Sequence, residues 1–218
     1  MKHTLILALA LGFAPAFAGQ ATLVELPNTT PAVVAPACTG SAFAIEVGPN
    51  YTSMIDGIEE GLDIDTVGVD VTGVYNIDSN WAVTLRFSWA TGDKTEYYND
   101  INESYKWDVT NWSIAPGIRY TVGLTENLSA FAGANIGYGN TDFKVSTEID
   151  SWSESFDDSG LIYGIEAGLK YDLCESVYLY GAAQYWGTTA QPSIEEGYNY
   201  KANKQNGINF RLGVGVSF

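Results

Sequence analysis

The chain has 218 residues and carries 26 acidic against 10 basic side chains, a formal charge of -16, which makes nucleic acid and anionic lipid poor partners for its exposed surface. Only 17 % of residues are charged, 13 % are aromatic and 23 are glycine, a mix that suits a β protein better than a helical one. The length gives one domain of ordinary size.

Residues 1–18 read as an export signal. Lys2 and His3 supply a basic start, residues 4–11 an apolar run, and Ala16-Phe17-Ala18 before Gly19 an A-x-A cleavage site. The run is too short to cross a membrane as a helix, and no later stretch approaches the roughly 20 apolar residues that need requires. Residues 19–40 carry Pro27, Pro31 and Pro36 without any period and form an extended leader. Cys38 and Cys174 are expected to pair as a disulfide, the default in an exported chain.

From residue 41 onward eight segments alternate polar and apolar side chains: approximately 41–52, 66–77, 80–91, 110–122, 127–140, 159–172, 176–187 and 207–218. Each has the length of a tilted transmembrane strand or slightly more. Long polar stretches, 53–65, 92–109, 141–158 and 188–206, follow the odd segments, and short turns follow the even ones. Antiparallel up-and-down closure puts all long connections at one end. Both cysteines then fall at the opposite end, beside the short turns. The last strand, 207–218, closes the sheet against 41–52, so that no strand edge is left in lipid. The fold expected is all-β, an eight-stranded antiparallel up-and-down transmembrane barrel.

Aromatic spacing supports this. Phe43 and Tyr51, Trp81 and Trp89, Trp112 and Tyr120, Tyr163 and Tyr171, and Phe210 and Phe218 each stand eight residues apart on one face, which predicts two aromatic girdles bounding an apolar band. Pro116 fits worst, because it removes a ladder hydrogen bond. The opposite faces are mostly Gly, Ala, Ser, Thr and Asn rather than the Lys and Glu that a soluble barrel of the lipocalin kind would show to water.

Those inner faces also hold Glu46, Asp70, Arg86, Arg119, Glu166, Lys170 and Arg211. Charges in a narrow lumen persist only when paired, so an interior ionic network that fills the barrel is expected, with Glu46 as the partner of Arg211. Catalysis is disfavoured: the only histidine is His3, inside the signal, which removes the usual general base. No cofactor is called for. The acidic connections, including Glu59, Glu60, Asp157 and Asp158, lack the spacing of a dedicated calcium loop, and at most hold Ca²⁺ or Mg²⁺ weakly. Tyr198 and Tyr200 in the last connection, with Trp107 and Trp152, offer a contact surface for an external protein or glycan.

The chain resembles the small outer-membrane β-barrels of the OmpA transmembrane, OmpX and opacity-protein type. The likeness covers about residues 41–218 and rests on the signal, the eight segments, the alternating connection lengths, the charged interior and the closing Val216-Ser217-Phe218. It implies a place in the outer membrane of a Gram-negative-type bacterium, with long loops outside, both termini periplasmic, and lipid and lipopolysaccharide around the barrel. It also implies that the terminal strand, through Phe210 and Phe218, is an assembly signal for the barrel assembly machinery. The function expected is non-enzymatic: a structural or surface-interaction protein acting through four long acidic loops, or alternatively a small-solute channel of the OmpW type.

Overall fold

A computed structural model describes residues 42–56, 64–98, 103–147, 153–190, 193–194, 200–201 and 205–218. The export signal, the whole of the leader and Cys38 lie outside the described residues, as do Glu59, Glu60, Trp152 and Tyr198.

Seven strands follow one another: β1 (Phe43–Asp56), β2 (Thr66–Asn76), β3 (Trp81–Tyr98), β4 (Glu103–Gly123), β5 (Leu128–Thr147), β6 (Ser153–Cys174) and β7 (Val177–Thr188). Two short pieces, β8 (Ser193–Ile194) and β9 (Tyr200–Lys201), pair with each other, and β10 (Asn206–Ser217) completes the series. The order β1-β10-β7-β6-β5-β4-β3-β2 closes on itself, with every neighbour antiparallel. The expected eight-stranded barrel is therefore the fold, sealed between its first and last strands by a register running from Ala44↔Ser217 to Met54↔Gly207.

The period of two decides which residues turn outward. Val47, Leu85, Ile118, Ile165 and Leu212 are all exposed, while their sequence neighbours Glu46, Arg86, Arg119, Glu166 and Arg211 are buried in the lumen. All ten paired aromatics are exposed. Phe43 stacks with Phe218 at 6.4 Å across the closing seam, and Trp81 meets Tyr120 at 4.8 Å. The short turns are held locally. Asp78 accepts hydrogen bonds from the backbone N–H groups of Asn80 and Trp81 at 2.8 and 2.7 Å, which holds its carboxyl below the usual aspartate range.

Two of the expected long loops are largely strand. β3 and β4 stay paired out to Tyr98↔Glu103, and β5 and β6 out to Ser146↔Ser153. Four strands thus continue past the aromatic residues at 89, 112, 138 and 163 as a projecting sheet. On its inner face Val109 and Phe143 pack with Met54 and Ile64 into a buried apolar cluster, with Trp107 against it. That cluster is the reason the polar extensions remain strands: it gives one face something to bury.

Two prolines interrupt the ladders. Between β4 and β5 the pairing passes from Ile114↔Tyr138 to Gly117↔Asn135 without a change of register. Between β1 and β10 it passes from Val47↔Val214 to Asn50↔Arg211. In each case the two missing pairs are the ones that would use the N–H of Pro116 or of Pro49, and proline has none.

Candidate functional site

The interior charges come from six strands. β1 supplies Glu46, β2 Asp70, β3 Arg86, β4 Arg119, β6 Glu166 and β10 Arg211, each at an inward position of the alternation. All six are at least nine-tenths buried.

Glu166 is the hub. It accepts hydrogen bonds from Arg86 and Arg211, and from Arg119 Nε at 3.3 Å. Arg119 also forms a two-pronged contact with Glu46, at 2.6 and 3.0 Å, a geometry in which the planar guanidinium matches both carboxylate oxygens. Its guanidinium carbon lies 4.3 Å from the centre of the Phe131 ring. Asp70 accepts from Asn50 at 2.9 Å and faces Arg211 Nε at 3.6 Å. Three arginines therefore meet three carboxylates, and the cluster carries no net charge.

Two expectations about these residues change. Arg211 does not pair with Glu46. The register sets Arg211 opposite Asn50 and Glu46 opposite Gly215, four residues or roughly 13 Å apart along the strand, and Arg211 reaches Glu166 and Asp70 instead. Lys170 stands apart from the cluster: it contacts Asp172 at 3.1 Å and lies 4.3 Å over the Tyr178 ring.

Neutral residues complete the layer. Gln184 accepts from Arg86 at 2.5 Å and donates to Asn135 at 3.2 Å, and the Tyr178 hydroxyl donates to Glu46 at 3.0 Å. A sequence search restricted to charges misses them. The available signal was parity, since Asn50, Asn135, Tyr178 and Gln184 all occupy inward positions of their strands. On the short-turn side, Ala44, Val74, Ala82, Tyr178 and Tyr180 form a second buried cluster. Cys174 is exposed at the end of β6. Phe210 and Phe218 both face outward, Phe210 within the last strand and Phe218 just past its end.

A closed antiparallel barrel with an apolar outer belt, aromatic rows at both margins and a salt-bridged interior defines a transmembrane barrel protein. The sequence profile of the outer membrane protein β-barrel domain matches residues 4–218, and the chain belongs to that family. Solved structures agree on the fold. Ail, the attachment invasion locus protein of Yersinia pestis, is 19 % identical with a TM-score of 0.53, over 82 % of this chain and 100 % of Ail. Neisserial surface protein A is 13 % identical with a TM-score of 0.58, over 82 % and 98 %. OprG from Pseudomonas aeruginosa is 17 % identical with a TM-score of 0.54, over 82 % and 96 %. No curated protein sequence matches the chain.

Proposed function

We propose that this outer-membrane barrel is a non-enzymatic structural and surface-interaction protein whose lumen is plugged and whose projecting sheet and acidic connections present a contact surface outside the cell. One observation carries the reading: three arginines and three carboxylates from six strands join across the lumen around Glu166. An eight-stranded barrel has room for little beyond such side chains. Planar-bilayer recordings of the refolded barrel test it. The expected record lacks large, steady openings, and their presence would overturn the plug and favour the OmpW-type solute channel.

The long connections are the extracellular ones in this reading, with short turns and termini periplasmic, as the asymmetry of outer-membrane barrels suggests. Residues 1–18 are the export signal and 19–40 a periplasmic leader. Cys38 and Cys174 join as a disulfide that ties this leader to the rim; equal mass with and without reduction and alkylation would refute it. Phe210 and Phe218 serve as the assembly signal. Lipopolysaccharide surrounds the outer rim, where exposed carboxylates such as Asp157 hold at most weakly bound Ca²⁺ or Mg²⁺. The external partner is a protein or glycan. A crystal structure of Ail is in complex with the heparin analogue sucrose octasulfate, although the net acidic surface here favours a less anionic ligand.

A further inference from the structure

The outer wall stays apolar further at one end of the barrel than at the other. At the long-connection end polar side chains take over at once: Thr91, Thr110 and Asn140 hold the next outward positions after Trp89, Trp112 and Tyr138. At the short-turn end the outward rows run on past the aromatics, from Tyr75 to Ile77, from Tyr120 through Val122 to Leu124, and from Tyr171 to Leu173. Ile77, Leu124 and Leu173 are each more than half exposed. We propose that the three short turns are sunk into the lipid headgroup layer, where their rim is a contact surface for phospholipids that carry a headgroup ammonium.

Length sets the depth. On β3, β4 and β6 the two aromatic rows stand eight residues apart, roughly 20 Å along the barrel axis at a strand tilt of about 40°. The apolar band of an outer-membrane barrel is about 25 Å tall, so the aromatic spacing alone falls short by about 5 Å. Two more residues of tilted strand supply about that length. Ile77 and Leu173 stand two residues beyond Tyr75 and Tyr171. Because Thr91, Thr110 and Asn140 bound the band at the opposite end, the deficit is met on the short-turn side. Aliphatic side chains held there in water would lose the burial that hydrocarbon gives them.

Charge selects the headgroup. Residues 76–80, 123–127 and 173–176 include Asp78, Glu126 and Glu175 and no lysine or arginine. The Asp78 carboxylate is engaged by its own turn, whereas Glu126 and Glu175 are exposed. The Asp172 N–H donates to the Asn127 carbonyl at 2.8 Å, which ties the second turn to the strand end that leads into the third. Two carboxylates therefore stand along one stretch of rim. The nearby ammonium of Lys170 is turned inward onto Asp172. Carboxylates at headgroup depth attract an ammonium and repel a headgroup of net negative charge. A phosphatidylethanolamine headgroup fits this rim, and phosphatidylglycerol does not.

The test uses the barrel, with its leader, refolded into phospholipid nanodiscs. NMR cross-peaks are expected between lipid chain methylenes and the methyl groups of Ile77, Leu124 and Leu173. Their absence, whether because the bilayer thins to the aromatic rows or because the leader covers these side chains, would overturn the immersion. Headgroup choice is read by electron spin resonance of spin-labelled phosphatidylethanolamine and phosphatidylglycerol at the barrel surface. The first should associate at least about twofold more strongly at low salt. Glu126→Gln combined with Glu175→Gln should bring the ratio most of the way to one. Equal association of the two lipids with the unaltered barrel, or a ratio unmoved by the two substitutions, would sink the headgroup assignment. Failure of either reading leaves the plugged lumen and the surface-contact role standing.

Discussion

At the scale of single residues the barrel depends on Glu166, the one carboxylate among the described residues bonded to three guanidinium groups. Glu166→Ala strands Arg86 and Arg211 in the lumen, and equilibrium unfolding in micelles is expected to register a loss of about 3–5 kcal/mol, the usual result of breaking a buried pair from one side. A double-mutant cycle on Glu46 and Arg119 should return a coupling of about 0.5–3 kcal/mol, because the two share a two-pronged contact. Which residues face inward was legible from the alternation alone. Which inward charge meets which was not, because pairing across a lumen depends on height within the barrel. Adjacent strands put Arg211 beside Asn50, a relation fixed by register that no pattern in either strand reveals.

At the scale of strands, Pro116 and Pro49 each remove one ladder donor from the apolar belt, where a backbone carbonyl has no water to turn to. Pro116→Val restores a donor aimed at β5 and Pro49→Val one aimed at β10, so each is expected to stabilise by about 1 kcal/mol. The sites are far apart, and the double variant should be additive. In the turn after β2, Asp78→Ala is expected to destabilise at neutral pH and to lose its effect in acid. The folded-state pKa of Asp78 is lowered from the ordinary aspartate value by the backbone N–H groups of Trp81 and Asn80, so its contribution is present above the unfolded-state pKa and disappears as pH falls through the folded-state pKa; an unfolding series carried from pH 7 through the acid range reads this. The membrane segments of β3 to β6 could be read from the sequence, but their continuations could not. Asp93 to Tyr98 shows no apolar-polar contrast, and the apolar positions that support the projection, Val109 and Phe143, are matched by Met54 on β1 and by Ile64 in the connection before β2.

At the scale of the whole molecule, electroneutrality of the lumen contrasts with a chain of net charge -16. The acidic excess therefore resides outside the ionic layer, and steering by the protein's field acts on approaching partners at its surface rather than on solutes within it. Binding of a cationic external probe should weaken markedly from low to physiological salt, whereas the unfolding free energy of the barrel, held by buried pairs, should change little. Surface plasmon resonance and denaturant titration measure the two separately.

The seam between β1 and β10 has a kinetic consequence. It joins Ala44 to Ser217 and Tyr51 to Phe210, contacts of far greater sequence separation than the neighbouring hairpins, whose turns bring strands together locally. Loop-closure entropy places such contacts late in folding, so the unsealed barrel passes through a stage with two open edges. Pro49 splits that last zipper into two short runs, whereas Pro116 lies in a hairpin that can form early. Pro49→Val should therefore quicken the final phase of refolding into vesicles, and Pro116→Val should leave that phase unchanged.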